Sequence, residues 1–397
     1  MVRSSLTAFA VGSTRASRTD LVCRYSSRVG RPFAEAQRNL LERARERRNP
    51  FAQTDPAEAV RLVETLSGTG PEVWAEAFGA AARAHEVRAL AAAASGDPVA
   101  ERRETALAYG YHRVARYPAP NSPARRAAYP RSQEWYLRLA RWADPPLERF
   151  RIPFRGKAGE GDAIVADLRV PRGVARPPVV VLWGGIDSFK EERHPEPFLA
   201  RGIASLAIDM PGTADAPLAG SEDAERMWDP IFDWLAARPE LDGARVAVLG
   251  NSTGGYWAAK LAHTHRERLA AAVDHGGPSH FAFERGWIER SAAGEYPFEL
   301  AETLASAFGR ATTEEWIAFA PRLSLLRQGI LDRPCAPLLL VNGVDDSVFP
   351  IADHELLLRH GDPKSARFFP GGHMGDGDTA TTIADWLAAR LAERAAA

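Results

Sequence analysis

The feature that most constrains the fold of this chain is an alternation of short apolar strands with helical segments after residue 150. Strands that are joined by helices pack into one open, mostly parallel sheet with helices on both faces. The sequence therefore predicts an α/β fold with a doubly wound sheet. The strand patterns lie at residues 178–183, 204–209, 245–249, 270–274, 337–342 and 366–369. Helical patterns that separate or follow them lie at residues 221–238, 253–265, 351–359 and 379–395.

The residues before this region carry a helical pattern. From residue 32 to residue 141 apolar residues recur at intervals of three and four, and several segments begin at a proline or at an Asp or Ser cap. We therefore expect a helical N-terminal domain over residues 31–145 and an α/β core over residues 146–397. Alternating stretches at 148–154 and 163–171 predict an antiparallel strand pair at the start of the core.

The first thirty residues are rich in Ser and Arg and contain one acidic residue, Asp20. They lack the continuous apolar stretch of a secretory signal. We expect residues 1–30 to be a disordered tail and the protein to be cytoplasmic.

A long segment interrupts the alternation of strands and helices. Residues 275–335 are rich in aromatic side chains and exceed the length of a simple crossover between two parallel strands. Ligands bind at the carboxyl edge of open α/β sheets. We expect this segment to form a helical cap over that edge.

The composition excludes several classes of function. The formal net charge of −1 gives no reason to expect nucleic acid or an anionic membrane as a partner. No apolar run approaches the ~20 residues that a membrane helix needs. Cys23 and Cys335 are the two cysteines, and they lie far apart without metal-ligand spacing. We expect no metal and no cofactor.

A short motif at residues 250–254 predicts a nucleophile. The sequence Gly-Asn-Ser-Thr-Gly lies between the strand pattern at 245–249 and a helical pattern that begins at Thr253. A G-x-S-x-G motif at a strand-to-helix junction is typical of the nucleophile elbow of serine hydrolases. Glycines are needed there because side chains would collide with the crossing elements. Ser252 is therefore the predicted nucleophile.

A serine hydroxyl needs a base to remove its proton, and the base needs a third group to orient it. His373 follows the strand pattern at 366–369 and is flanked by glycines, so we expect it to be the base. Asp346 follows the strand pattern at 337–342 and is the predicted acid. The order Ser, Asp, His is that of the α/β-hydrolase fold. Two other carboxylates remain alternatives for the acid, namely Asp345 in the same turn and Asp274 at the end of an earlier strand.

The oxyanion of a tetrahedral intermediate needs preorganised N–H donors. One donor should be the amide of Thr253, directly after the nucleophile. The other should come from the loop after the strand pattern at 178–183, where Gly184 and Gly185 permit close approach and Ile186 is the candidate donor. Asp187 would lie beside this oxyanion hole, and the alternative is that it caps the helix that follows.

These segments together resemble a group of α/β-hydrolases that includes 2,6-dihydroxypseudooxynicotine hydrolase and the fermentation/respiration switch protein. The resemblance covers about residues 75–395. Besides the elbow and the segments of His373 and Asp346, it rests on sequences at 145–150, 183–192 and 209–213. It implies an N-terminal helical domain that helps to close the pocket, a homodimer, and hydrolysis of carbonyl compounds, including cleavage of a C–C bond next to a ketone. It also implies that Asp187 matches an acidic residue that assists this cleavage.

The pocket is expected between the core, the cap and the N-terminal helices. Gly185, Tyr111, Trp287 and Trp316 are the residues that we expect to line it. Further aromatic side chains of the helical region suggest a bulky, ring-bearing carbonyl substrate; these are Tyr109, Tyr129, Trp135 and Tyr136. The residues therefore predict a metal-independent serine hydrolase, and the resemblance implies that it acts on an ester or on a 1,3-dicarbonyl C–C bond. The alternative is a catalytically idle member that binds a protein partner.

Overall fold

The computed structural model describes residues 31–396, so the tail expected at residues 1–30 lies outside the described residues. Helices fill the first part of this range, in agreement with the periodicity of three and four. They are α1 (Phe33–Arg45), α2 (Pro56–Thr65), α3 (Pro71–Ser95), α4 (Pro98–Ala115) and α5 (Pro123–Leu139). Four of these helices have a proline in their first turn, where a missing N–H removes no intrahelical hydrogen bond.

Within residues 31–396, eight strands form one sheet in the order β1-β2-β4-β3-β5-β6-β7-β8. The strands are β1 (Glu148–Pro153), β2 (Ala163–Arg169), β3 (Val179–Trp183), β4 (Ala204–Ile208), β5 (Val246–Asn251), β6 (Ala271–His275), β7 (Leu338–Gly343) and β8 (Lys364–Phe369). The pairs β1–β2 and β2–β4 are antiparallel, and all other neighbours are parallel. The predicted α/β fold with a mostly parallel sheet is confirmed.

The continuous apolar character of the central strands reflects burial on both faces of the sheet. Along β3, Val179, Val181 and Trp183 belong to one apolar cluster, whereas Val180 and Leu182 belong to the cluster on the opposite face. Successive side chains of a strand point to opposite faces, so a strand that is covered on both sides is apolar throughout. The helices of the core are α6 (Glu196–Leu199), α7 (Trp228–Ala236), α8 (Thr253–Thr264), α12 (Ile351–Leu358) and α13 (Thr379–Ala396).

The segment between β6 and β7 contains three helices, namely α9 (Arg285–Ser291), α10 (Leu300–Ala307) and α11 (Thr313–Phe319). Most of its buried apolar side chains join the same cluster as one face of the sheet, whereas Phe298 joins the cluster of the helical region. The helical region contacts this segment as well, because Arg125 of α5 forms an ion pair with Glu299 at 2.5 Å.

The ends of some helices differ from the sequence prediction. The helix predicted at 221–238 is a short 3-10 turn followed by α7, which begins only at Trp228. Pro230 explains this start, because proline fits best in the first turn of a helix, where its missing N–H removes no intrahelical hydrogen bond. No helix within residues 31–396 combines the length and the apolar composition that crossing a membrane requires.

Candidate active site

Ser252 lies on the sharp turn between β5 and α8. Its backbone has φ 55° and ψ −133°, a strained conformation for a residue with a side chain. The neighbouring glycines are sterically required, since a Cβ atom on Gly254 would lie 2.3 Å from the carbonyl oxygen of Gly184. The Ser252 amide donates to the carbonyl of His275 at 2.7 Å, which ties the turn to β6. The turn therefore projects the serine from the carboxyl end of a central strand.

Three side chains from different strand ends form a continuous hydrogen-bonded chain. His373 Nε2 lies 2.8 Å from Ser252 Oγ, and His373 Nδ1 lies 2.8 Å from Asp346 Oδ2. The three residues follow β5, β7 and β8, whose carboxyl ends share one edge of the sheet. One imidazole thus contacts the hydroxyl and the carboxylate at the same time, at ordinary hydrogen-bond distances.

Asp346 is buried and held by four hydrogen bonds. Its Oδ1 accepts from the backbone N–H groups of Val348 at 2.7 Å and Phe349 at 3.0 Å. Its Oδ2 accepts from Asn342 Nδ2 at 2.8 Å as well as from His373. Burial disfavours the charged carboxylate, but His373 and these donors outweigh burial and hold the pKa of Asp346 below its ordinary value. The carboxylate is therefore ionised and fixed in orientation.

His373 carries an electrostatic environment that favours its protonated form. Burial alone would lower the pKa of His373, but the carboxylate of Asp346, with smaller contributions from Glu295 and Asp187, raises it above its ordinary value. Glu295 also positions the loop, because its Oε1 accepts from the His373 backbone N–H at 2.9 Å. The imidazole is therefore both oriented and made more basic.

The two alternative acids have other surroundings. Asp345 is exposed to solvent, whereas its neighbour Asp346 faces His373. Asp274 is fully buried, and its Oδ1 accepts from the Gly277 N–H at 2.7 Å. Burial raises the pKa of Asp274 to about 7. Of the three carboxylates, only Asp346 contacts the histidine that contacts Ser252.

Two backbone amides next to Ser252 are free to donate. Thr253 is the first residue of α8, where N–H groups have no intrahelical acceptor. Ile186 lies in the loop after β3. Within residues 31–396, neither the Thr253 N–H nor the Ile186 N–H has a hydrogen-bond acceptor. The loop closely approaches the serine, since a Cβ atom on Gly185 would lie 3.1 Å from Ser252 Oγ.

Asp187 hydrogen-bonds to side chains of the helical region and of the segment between β6 and β7. Its Oδ2 accepts from Asn49 Nδ2 at 2.9 Å and from Tyr296 Oη at 3.1 Å. The alternative of a helix cap is wrong, because the 3-10 helix Lys190–Glu192 has Phe189 as its N-terminal cap. The carboxylate thus lies at the junction of three parts of the chain.

Comparison with known proteins places the chain in a family. The family described as "Esterase FrsA-like" matches residues 61–391. The chain belongs to the FrsA-like esterase family. The predicted membership of the α/β-hydrolases is thereby confirmed.

Individual relatives of this FrsA-like chain include two fungal hydrolases. Hydrolase phmG of Phaeosphaeria nodorum is 27% identical over 252 residues, which cover 57% of this chain and 56% of that protein. Hydrolase ORFZ of Pyricularia oryzae is 26% identical over 353 residues, which cover 77% of this chain and 82% of that protein. The chain thus spans little more than half the length of phmG.

The crystal structure of 2,6-dihydroxy-pseudo-oxynicotine hydrolase has the same fold. It matches with a TM-score of 0.69 at 22% identity and covers 86% of this chain and 94% of that chain. The likeness includes the helical region before the sheet, because the match extends over most of both chains.

Two of the aromatic residues that were expected to line the pocket are core residues instead. Tyr111 is completely buried within the helical region, where its ring stacks on His85 at 5.2 Å. Trp316 is 1% exposed and packs on Phe308 at 5.0 Å between centroids. For both side chains the expectation is wrong, because an aromatic residue on an amphipathic helix fills a core as readily as it lines a pocket.

Trp287 and Gly185 do lie near the candidate site. Trp287 is half-buried, and its Nε1 donates to the carbonyl of Val348 at 2.9 Å. Since the Val348 N–H donates to Asp346, Trp287 supports the loop that carries the acid. Gly185 packs directly against Ser252.

Two cavities lie beside the helical region. One, of about 350 Å³, is lined by Asn49, Asn251 and His275 but not by Ser252, His373 or Asp346. The other, of about 1080 Å³, is lined by Tyr109 and Tyr136 but not by the serine, histidine or aspartate of the site. These two aromatic side chains therefore do not indicate a bulky substrate at Ser252.

Sequence reasoning missed several residues that organise the site. Asn342 links two loops, because its Oδ1 accepts from the Met374 N–H at 3.1 Å while its Nδ2 donates to Asp346. Its position in Val-Asn-Gly at the end of an apolar strand was a usable signal. Glu295, Asn49 and Tyr296 carry no local signal, since their contacts join segments far apart in the chain.

Proposed function

We propose that the protein is a serine hydrolase that attacks the carbonyl group of a small molecule, with Ser252 as nucleophile, His373 as base and Asp346 as orienting acid. The observation that carries this proposal is the pair of 2.8 Å contacts that His373 makes to Ser252 and to Asp346. Hydrogen-bonded groups in this order make a serine hydroxyl nucleophilic. Membership of an esterase family supports the same chemistry.

The proposed acylation step uses these contacts. His373 Nε2 accepts the proton as Ser252 Oγ adds to the substrate carbonyl, and Asp346 stabilises the imidazolium that forms. The amides of Ile186 and Thr253 donate to the oxygen that becomes negative. When the tetrahedral intermediate collapses, the imidazolium returns the proton to the leaving group. Water then repeats the sequence on the acyl-enzyme and releases a carboxylic acid.

A catalytically idle protein that binds a partner is the alternative function. Such a protein has no need of a strained serine, whose backbone conformation costs about 1–3 kcal/mol. Strain of this kind persists where it positions a reacting group, so the backbone at Ser252 favours the hydrolase.

Labelling with a fluorophosphonate probe tests the proposed function. The wild-type protein is expected to be modified at one residue, Ser252, because the probe reacts with an activated serine and mimics the tetrahedral intermediate. The variant Ser252→Ala should not be labelled, and Ser221→Ala, which removes an exposed serine bonded to Asp223, should be labelled as the wild type is. A folded wild-type protein that is not labelled at Ser252 would refute the proposal.

The bond that is cleaved depends on how the leaving group is handled. An ester expels an alkoxide or aryloxide, whereas a 1,3-dicarbonyl compound expels an enolate whose carbon must be protonated. We propose that Asp187 assists this proton transfer. The carboxylate is close enough to His373 to raise its pKa, and it shares hydrogen bonds with Asn49 and Tyr296. Cleavage of a C–C bond next to a ketone is therefore the proposed specific reaction, with ester hydrolysis as the simpler one.

Replacing Asp187 with asparagine separates the two reactions. Hydrolysis of a β-diketone is expected to slow by about 100-fold or more, because general acid–base assistance is lost. Hydrolysis of an aryl ester should change by less than about threefold, because an aryloxide leaves without protonation. Steady-state rates on both substrates measure this difference.

The matched control is Asp345→Asn, which removes an exposed carboxylate at the same sheet edge. It should leave both rates unchanged. If Asp187→Asn slows both substrates equally, Asp187 has no role specific to C–C cleavage.

A further inference from the structure

The loop that carries the proposed oxyanion donor Ile186 is tightly folded. We call residues 184–189 the oxyanion loop. Its two ends touch, because a Cβ atom on Gly184 would lie 1.8 Å from the carbonyl oxygen of Ser188. It also rests on the elbow, since the Gly184 carbonyl lies against Gly254. The direction of the Ile186 N–H therefore depends on whatever fixes the fold of this loop.

The guanidinium group of Arg193 contacts the loop at both ends. Its Nε donates to the carbonyl of Phe189 at 3.2 Å, and its Nη2 donates to Ser188 Oγ. The same group packs against the start of the loop, because its Cζ lies 3.2 Å from the position of a Cβ atom on Gly184. A planar group with several fixed donors suits this task better than an ammonium group does.

The charge of Arg193 is not used in an ion pair. Within residues 31–396 no carboxylate lies within 4.0 Å of its guanidinium group. The adjacent Glu192 is bound instead by Arg113 of α4 at 2.5 Å and by Arg116, which follows the end of α4. Burial lowers the pKa of Arg193, and the nearby carboxylates of Glu192 and Asp187 partly offset this effect.

A second arginine holds the loop from the helical region. Arg116 Nη1 donates to the carbonyl of Asp187 at 2.8 Å, and its guanidinium carbon lies 3.7 Å from the centre of the Phe189 ring. Glu192 Oε1 accepts from the Phe189 N–H at 3.1 Å. The oxyanion loop is thus restrained from two sides, and Arg193 is the restraint nearest to its glycines.

We propose that Arg193 is a positioning residue of the oxyanion hole: it holds the oxyanion loop so that the Ile186 N–H points to the oxygen that becomes negative. This proposal rests on the proposed serine hydrolase function. A misplacement of about 1 Å can cost about 100-fold in rate, and an oxyanion donor acts on the transition state more than on the bound substrate.

The test compares Arg193→Ala and Arg193→Lys with the wild type. Removal of one oxyanion donor typically costs about 100- to 1000-fold in kcat, so loosening one should cost Arg193→Ala about 10- to 100-fold with p-nitrophenyl acetate. The Ki of phenylboronic acid, which forms a tetrahedral adduct with an active serine, should rise by a similar factor. Millimolar guanidinium should restore part of the rate of Arg193→Ala, and Arg193→Lys should fall between the two.

Arg169→Ala is the matched control. Arg169 is buried, and it holds a loop through the carbonyls of Pro145 at 3.0 Å and Asp144 at 2.9 Å, away from Ser252. The Arg169→Ala variant should have a lower melting temperature than the wild type and the same Ki for phenylboronic acid. If Arg193→Ala behaves like Arg169→Ala, or if its lost activity follows its lost stability and guanidinium restores nothing, the positioning role is refuted. A wild-type protein that fluorophosphonate does not label would instead refute the underlying hydrolase function.

Discussion

The variant Ser252→Ala is expected to lose about 10⁶-fold in kcat for ester hydrolysis, the scale seen when the nucleophile of a serine hydrolase is removed. Without the hydroxyl, no covalent intermediate forms, and His373 has no proton to accept from position 252. The remaining rate enhancement should come from the amides of Ile186 and Thr253 acting on a water attack. Initial rates at high enzyme concentration measure the loss.

The same experiment tests whether the three side chains act as a unit. His373→Ala should cost nearly as much as Ser252→Ala, and the double variant should be no worse than either single variant, because groups that work in one step are not additive. Ser252→Ala keeps the Cβ atom and hence the backbone strain, so its melting temperature should stay close to that of the wild type. A loss of less than about 100-fold would mean that another residue is the nucleophile.

The fold and the hydrogen-bonded chain at Ser252 were accessible from sequence because their signals are local. Apolar strands, glycine-flanked turns and their order along the chain require no knowledge of tertiary packing. The carboxyl ends of parallel strands meet at one edge, so Ser252, Asp346 and His373 could be placed together from their positions after three strands. The choice of Asp346 over Asp345 also follows from spacing, and the structure has Asp346 at His373.

The remaining parts of the site depend on contacts between distant segments. Asn49 and Tyr296 meet at Asp187 although they are separated from it by 138 and 109 residues. Arg116 reaches the oxyanion loop from the helical region, across 71 residues of sequence. Periodicity can predict that α4 is a helix, but it cannot predict which of its polar residues face the core. For the same reason, the sequence pattern cannot tell that Tyr111 fills the interior of the helical region instead of lining a pocket.

Asp346→Asn is the second change expected to have a very large effect, about 10⁴-fold in kcat. An asparagine can still accept from the N–H groups of Val348 and Phe349, so the loop should keep its shape. If the amide nitrogen of the asparagine takes the place of Oδ2, an N–H donor faces His373 Nδ1. The imidazole tautomer that carries its proton on Nε2 is then favoured. That tautomer donates to Ser252 and cannot accept its proton. Asp345→Asn should change kcat by less than about threefold, and a loss in that variant comparable to Asp346→Asn would reverse the assignment.

The pH dependence of the same variant separates this electrostatic role from a purely structural one. His373 must be neutral to act as a base, so kcat/KM should fall as the pH drops through the pKa of the free enzyme's histidine. In the wild type, Asp346 raises that pKa above the ordinary value of about 6.5, and activity should therefore be lost at a correspondingly higher pH. Asp346→Asn removes the carboxylate that contributes most to this increase, so the acidic limb of its residual activity should move to lower pH. An acidic limb at the same pH in both proteins would show that Asp346 does not set the basicity of His373, even if kcat falls as expected.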